Sequence, residues 1–211
     1  GRSNKIWFSF GSFYIKHGLQ LDTVPAKQST KFYLWAPLGY GDSGACCLAS
    51  TSNGRATCVI KFFKRGPSAK ETAEKEGTYW QKIYAETYGW KFCGFRDLDG
   101  VSCVLMPYLR EVSPEERDGL LQNRENSLLW KALSFFAGKG YRHGDLKWSH
   151  VGTFLQGTQK VKTVALFDLG RVSTLNPKDH DTWVTEAYNT LVERAGLKDD
   201  QKMPAQTNGK G

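Results

Sequence analysis

The hydrophobic period of this 211-residue chain changes twice, and those changes constrain the order of its elements more than its composition does. Up to residue 63, apolar and β-branched residues come in short blocks separated by turn residues. Residues 7–15 are aromatic with Gly11 interrupting, 32–36 alternate, and 45–49 and 56–63 flank Ser52-Asn53-Gly54. That is the period of strands, and the short turns imply an antiparallel meander. At Pro67-Ser68 the period lengthens. Ser68 with Glu71 forms a capping-box pattern, and the stretch to residue 86 is rich in Ala, Glu, Lys and Gln, so a helix is expected. Two more strands, 91–96 and 101–108, bracket Asp97-Leu98-Asp99-Gly100, a hairpin-turn signature.

The second change comes at Ser113-Pro114-Glu115-Glu116, which offers an N-cap, a proline at the first helical position and a capping-box glutamate. Residues 127–138 carry Leu128, Ala132 and Phe136 in one row and Leu129 with Leu133 in the next, the pattern of a helix buried on most sides. Short strands at 152–155 and 161–167 surround Gly157-Thr158-Gln159, and a last helix is expected over 182–194. The order implies a single α+β, two-lobed domain. Its parts are a β-rich N-lobe with one helix (about 1–107), a connection at 106–112, a reduced helical C-lobe (113–198) and a polar tail (199–211).

Composition excludes several classes. Hydrophobic residues at 40% and charged residues at 24% are globular values, and Lys131 interrupts the most apolar stretch, so no membrane span is expected. The N-terminus lacks the apolar core of a secretory signal, which leaves such a segment upstream as the alternative. Five cysteines without a CxxC pair argue against a disulfide framework and zinc, and for a reducing compartment, cytosol or nucleus. The adjacent Cys46 and Cys47 would face opposite sides of a strand, as ordinary packing requires. The net charge of +8 is scattered, without the clustered footprint of a nucleic-acid surface.

Several residues could carry chemistry, each with a plainer alternative. Gly39-Tyr40-Gly41-Asp42-Ser43-Gly44 is a GxGxxG with strands on both sides. That context suits a hairpin lid over phosphates and disfavours a dinucleotide fold, and the motif also reads as a simple turn. Lys61 ends the apolar run Cys58-Val59-Ile60 and is either a snorkelling edge lysine or a phosphate ligand. Helical phase puts Glu76 on the apolar face with Ala73, Trp80 and Ile83, and leaves Glu71 and Glu74 on polar faces. Asp145 lies in Tyr141-Arg142-His143-Gly144-Asp145-Leu146-Lys147, a loop after the buried helix, either a catalytic loop or an Asp turn with a core His143. Asp168 closes an apolar strand just before Gly170, where a carboxylate suits magnesium.

In this order, over residues 32–172, the set resembles the protein kinase-like fold: Gly39 to Gly44, Lys61, Glu76, the hinge Met106-Pro107-Tyr108-Leu109, His143-Gly144-Asp145-Leu146-Lys147, and Asp168-Leu169-Gly170. His143 to Trp148 followed by Val151-Gly152 looks most like the kinase-like domain of Crinkler-type effectors, which are delivered into host cells and often act in the nucleus. The resemblance implies ATP and magnesium, with manganese as an alternative, and a host protein as substrate or partner. Asp145 would orient the nucleophile or accept its proton, and Lys147 would neutralise the transferring phosphoryl group. Lys61 paired with Glu76 would hold the α- and β-phosphates under the amides of Gly39, Gly41 and Gly44, and Asp168 would bind the metal. Adenine would rest against Val59 and Leu38, bonded to the backbone near Met106 and Tyr108.

The chain departs from that pattern in four places, one of them Val59, which replaces a smaller Ala and would tighten the adenine pocket. His150 stands where a metal-binding Asn is expected, and imidazole suits manganese or zinc better than magnesium. Gly144 replaces the usual Arg, which removes the partner of an activation-loop phosphate. No Ala-Pro-Glu follows Gly170, so the peptide-binding platform of typical kinases is not carried over. Three functional readings stand: an ATP-dependent phosphotransferase acting on itself or a protein hydroxyl, with a small-molecule acceptor left open; a pseudokinase working as a nucleotide- or partner-binding regulatory module; and, ranked last, a nucleic-acid-binding module using the +8 charge.

Overall fold

Ala45, Cys47 and Ala49, small side chains at every second position of one strand, face a narrow core. In the computed structural model, which describes residues 7–10, 13–16, 20–24, 31–41, 43–50, 58–98, 100–156 and 161–196, the chain divides into two units at Tyr108 and Leu109. The first opens with a hairpin of β1 (Trp7–Phe10) and β2 (Phe13–Lys16). A closed barrel follows. Its strands are β3 (Gln20–Val24), β4 (Lys31–Tyr40), β5 (Gly44–Ser50), β6 (Cys58–Phe63), β7 (Gly94–Leu98) and β8 (Val101–Met106), in the order β3-β4-β5-β6-β8-β7. Leu34, Ala45, Cys47, Ala49, Cys58, Ile60, Phe62, Leu98, Cys103 and Leu105 form its core. Five of these ten are Ala or Cys, the size a six-stranded interior accepts.

The topology corrects the simple meander. β8 pairs with β6, and β7 closes the barrel against β3 through Thr23 and Leu98. Closure leaves no open edge, which an open meander would expose. The strand-like stretch over 7–15, interrupted at Gly11, corresponds to the paired strands β1 and β2, and β3 was not expected at all. The turns placed at Ser52-Asn53-Gly54 and Gly157-Thr158-Gln159, and the polar tail, lie outside the described residues. Cys47 faces the core while Cys46 is partly exposed. Burial, with Cys46 nearby, pushes the Cys47 thiol up to about 12, which makes it inert at neutral pH.

The inserted helix is α1 (Ala69–Trp80), continued by a π-helical turn (Gln81–Ala85) and a last short turn, α2 (Glu86–Tyr88), that stops at left-handed Gly89. The capping box expected at Ser68 is not made: Ser68 has a helical backbone and its side chain caps nothing. Ile83 and Tyr84, three and four residues after the buried Trp80, both face inward in this wide turn. Trp80, Tyr84, Tyr88 and Trp90 pack ring against ring there.

The second unit contains α3 (Pro114–Leu121), α4 (Leu128–Gly138) and α5 (His180–Arg194), with β9 (Arg110–Glu111), β10 (Tyr141–His143), β11 (Val151–Gln156), β12 (Val161–Leu166) and β13 (Val172–Thr174). β12-β11-β9 form one sheet and β10-β13 another. Ser127 caps α4 by accepting from the Trp130 N–H. At α3 the expected capping box forms and extends into a network: Glu116 accepts from Ser113 N–H, from Arg110 through both oxygens at 2.6 and 2.7 Å, and from Lys162 at 3.3 Å. Among the described residues no helix is long and apolar enough to cross a membrane.

The Arg110 guanidinium first, then the Ser113 N–H, hold the Glu116 carboxyl far below its usual range. A folded pKa below the unfolded one adds stability above the usual glutamate range, and that stability is lost as pH falls through the folded value. Glu116→Gln therefore lowers the urea midpoint at neutral pH, and the gap to wild type narrows in acid. A gap that stays constant into acid would show that the carboxylate's charge is not what ties β9, α3 and β12 together.

Candidate functional site

In the first unit the site begins with β6, which is buried on both faces. Cys58, Ile60 and Phe62 enter the barrel core, and Val59, Lys61 and Phe63 lie on the opposite face, also buried. Lys61 therefore does not snorkel. Its strand is central, between β5 and β8, and its side chain is only 9% exposed. The ammonium is instead held by Glu76 of α1, at 2.8 Å to Oε2 and 3.1 Å to Oε1. It also stands 5.2 Å from the Phe63 ring centroid.

α1 reaches this position because Gly77 lets it press on the sheet: a Cβ there would lie 2.3 Å from the Phe95 nitrogen. Glu71 and Glu74 are exposed, as helical phase implies.

The Gly39–Gly44 stretch is the β4–β5 hairpin, closed by a Gly41 N–H to Gly44 carbonyl bond of 2.8 Å. Its glycines differ in cause. A Cβ on Gly44 would collide with the Phe62 carbonyl at 1.9 Å, so packing alone demands glycine, whereas Cβ atoms on Gly39 or Gly41 would meet nothing within 4 Å. Val59 and Met106 are buried cross-strand partners, and Leu38 and Tyr108 are exposed.

In the second unit two antiparallel ladders share one function. β10 pairs His143 with Val172, and β11 pairs Val151 with Leu166. The segments 144–150 and 167–171 are thereby brought face to face. Gly144 seals the join: its N–H donates to the Arg171 carbonyl at 2.9 Å, and a Cβ would stand 2.7 Å from that oxygen. The loop is also anchored from α5. Trp148 Nε1–H donates to the Leu191 carbonyl at 2.9 Å and the Arg194 guanidinium to the Leu146 carbonyl, while Arg117 lies over the Trp148 ring.

Two imidazoles grip the Asp145 peptide. His143 Nδ1 accepts from the Asp145 N–H at 3.2 Å, and its Nε2–H donates to the Phe167 carbonyl at 2.9 Å. Desolvation, the largest influence, lowers the His143 pKa, in keeping with this neutral tautomer. His150 Nδ1–H donates to the Asp145 carbonyl at 2.7 Å, and its Nε2 lies 3.1 Å from Asp168 Oδ2. The bridging role of His143 was not legible in the sequence, because both of its ring bonds go to backbone atoms brought together by β10 and β13.

Asp145 accepts from Lys147 Nζ at 3.2 Å. Partial desolvation pushes its carboxyl up, but the Lys147 hydrogen bond and charge, with His150 and Arg171, outweigh it and hold the group below the usual aspartate value. Asp168 has a left-handed backbone, φ 57° and ψ 63°, uncommon for a residue other than glycine. Among the described residues no three His, Cys, Asp or Glu side chains converge as a metal site. The donors that do converge, the Asp168 carboxylate and the His150 imidazole, fit a cation that takes its remaining ligands from water and phosphate.

A family model described as a family of unknown function, DUF5898, matches residues 37–154, more than half of the chain. No curated protein matches in sequence. Among solved structures the chain is similar to the kinase domain of PF14_0431, with a TM-score of 0.55 and 16% identity over 77% of this chain and 55% of that one. The PknI kinase domain of Mycobacterium tuberculosis matches at a TM-score of 0.45 and 12% identity, over 77% of this chain and 65% of that one. The chain thus spans about half to two thirds of the length of these kinase domains. The first likeness establishes a protein-kinase-like α+β fold, with a β-rich N-lobe unit and a smaller mixed second unit.

Proposed function

The chain belongs to the DUF5898 family, a family of unknown function, and we propose that on its kinase-like fold it acts as an ATP-dependent phosphotransferase. The observation that carries this reading is the buried Lys61–Glu76 pair. Burying two charges costs several kcal/mol per ion in desolvation, and an apolar pair of similar size would serve stability as well. A lysine immobilised in this way has a clear use in phosphoryl transfer, which needs positioned positive charge more than covalent help.

In this reading Lys61 holds the α- and β-phosphates. The open space above Gly39 and Gly41 leaves room for a phosphate against the hairpin, whose Gly41 N–H is itself committed to the Gly44 carbonyl. Val59 and Leu38 contact adenine, and the backbone from Met106 to Tyr108 binds its edge. Asp145, kept ionised by Lys147, orients the acceptor hydroxyl or takes its proton. Lys147 then offsets charge on the transferring group, and Asp168 with His150 holds the cation. When bound, that cation supplies charge neutralisation to the β- and γ-phosphates. The likeness of residues 143–152 to Crinkler-type effector domains makes a hydroxyl on a host protein, in cytosol or nucleus, the proposed acceptor, with autophosphorylation as the simplest case.

The test follows ADP release and intact protein mass together, with ATP and either Mg²⁺ or Mn²⁺. Phosphate is added to the wild-type chain and not to Asp168→Ala, and Asp145→Ala slows turnover by roughly 10²–10⁴-fold. An Asp145→Ala variant as fast as the parent would remove the catalytic assignment. Silence of the wild type with both metals would transfer the domain to the second reading, a pseudokinase that binds partners.

A further inference from the structure

The alternation of the β10–β13 ladder puts two arginines on one exposed face beside Asp145. His143 and Val172 are cross-strand partners and both are buried, so their neighbours along the strands point the other way. On that outer face Arg142 stands opposite Ser173, and the ladder continues into the Gly144 N–H bond to the Arg171 carbonyl. Gly144 and Arg171 share the face as well: a Cβ on Gly144 would lie 3.8 Å from the Arg171 Cβ. Arg142 and Arg171 are thus diagonal neighbours, about 7–8 Å apart at their backbones, a distance that long side chains bridge. Gly144 puts no side chain between them. Both arginines are exposed. Arg142 donates from Nε to Ser173 Oγ at 3.1 Å and makes no other side-chain bond among the described residues, so its two terminal amino groups are open. The Arg171 guanidinium makes no hydrogen bond or ion pair among the described residues. Two like charges this close repel, and an anion that binds both relieves the repulsion.

We infer that Arg142 and Arg171 recognise a phosphorylated side chain on the protein segment that lies at Asp145, which rests on the phosphotransferase reading and narrows its acceptor to a protein already phosphorylated near the target hydroxyl. Two monocations match the charge of about −2 on a phosphomonoester at neutral pH, and the guanidinium forks suit its oxygens. The spacing fits a peptide. Arg171 stands opposite Gly144, the residue before Asp145. Arg142 is three residues before Asp145, about 10 Å along an extended strand, a length that about three residues of an extended peptide also span. The Arg171 charge already acts on the Asp145 carboxyl, behind desolvation, Lys147 and His150. A nucleic-acid strand, with a phosphate at every nucleotide, favours an unbroken run of cations, whereas here the Asp145 carboxylate follows directly on the pair.

The test uses the full chain and labelled peptides that carry one acceptor serine and one phosphoserine, placed one, two or three residues to either side, each with an unphosphorylated twin. Binding is read by fluorescence anisotropy, transfer by peptide mass with ATP and Mg²⁺ or Mn²⁺, and ADP release alongside. Wild type binds the phosphopeptide of at least one spacing about tenfold or more tighter than its twin, the worth of one hydrogen bond to a charged group, and phosphorylates it faster. Arg142→Gln and Arg171→Gln each remove most of that preference without moving the urea midpoint, since both side chains are exposed. Equal binding of phosphopeptide and twin by wild type, or a preference that both variants keep, would overturn the inference and leave the phosphotransferase reading to stand on ADP release. Glycerol 3-phosphate or a single-stranded oligonucleotide bound as tightly as the best phosphopeptide would overturn the assignment to a protein segment. Arg142-dependent phosphopeptide binding by a wild-type chain that releases no ADP would overturn the phosphotransferase reading alone, and the pair would stand as a recognition surface of the pseudokinase.

Discussion

Changing Glu76 to glutamine lowers the unfolding free energy by about 3–5 kcal/mol, because it leaves the Lys61 ammonium buried opposite a neutral amide. Both carboxylate oxygens of Glu76 face Nζ, at 2.8 and 3.1 Å, and the two side chains are 1% and 9% exposed, so solvent cannot replace the lost charge. Removing both charges together, as Lys61→Met with Glu76→Leu, restores most of that stability, since a well-packed apolar pair has no desolvation cost to offset. Phosphoryl transfer is lost in the single and in the double variant alike. Urea unfolding and ATP turnover, measured side by side, thus separate the structural use of the pair from the functional one. A double variant that still turned over ATP would remove Lys61 from the proposed phosphate site, and a Glu76→Gln protein as stable as wild type would show that the pair is solvated.

The second large effect is at Gly144. An alanine methyl there would lie 2.7 Å from the Arg171 carbonyl oxygen, the acceptor of the Gly144 N–H. Backbone stands on both sides of the contact, so relief requires that 143–145 and 168–171 move apart. Overpacking of this kind costs about 1–3 kcal/mol. On the proposed function the larger loss is in turnover. Asp145 and Asp168 are carried by those two segments, and a displacement of about 1 Å at reacting groups costs on the order of 10²-fold. Gly144→Ala should therefore lose turnover far out of proportion to its change in unfolding midpoint. Equal losses in the two would reduce Gly144 to a packing residue. The contact also explains the glycine in physical terms, since the Arg common at this position in kinases carries a Cβ that this backbone does not admit.

Much of the local structure was legible because its causes are local. The start of α4 near Ser127, the proline and glutamates opening α3, and the inward phase of Glu76 each depend on residues within a turn or two. Where distant contacts decide, the sequence was silent or misleading. The Ser68-Glu71 pattern is a capping box on paper, yet Ser68 has a helical backbone and makes no cap. The π-helical turn at Gln81–Ala85, which lies among the packed rings of Trp80, Tyr84, Tyr88 and Trp90, is announced by no helical periodicity.

Strands β3, β9, β10 and β13 have two to five residues each, too few to show a period. They exist because a partner strand satisfies their backbone groups. Two of them, β10 and β13, bring residues 143–145 to residues 168–171, so the part of the site most dependent on geometry was the least visible in advance.

The sequence by itself determined the succession of a strand-rich part with one helix and a mixed helical part, and the buried phase of α1 and α4. Hydrophobic period, capping and side-chain type are properties of neighbouring residues. Tertiary structure alone decided that Lys61 is buried and paired rather than snorkelling at an edge, that β8 rather than β7 lies beside β6, and that His150 points one nitrogen at the Asp145 carbonyl and the other at Asp168. Each of these depends on which distant backbone supplies the partner, and that is settled only when strands pair and side chains close-pack.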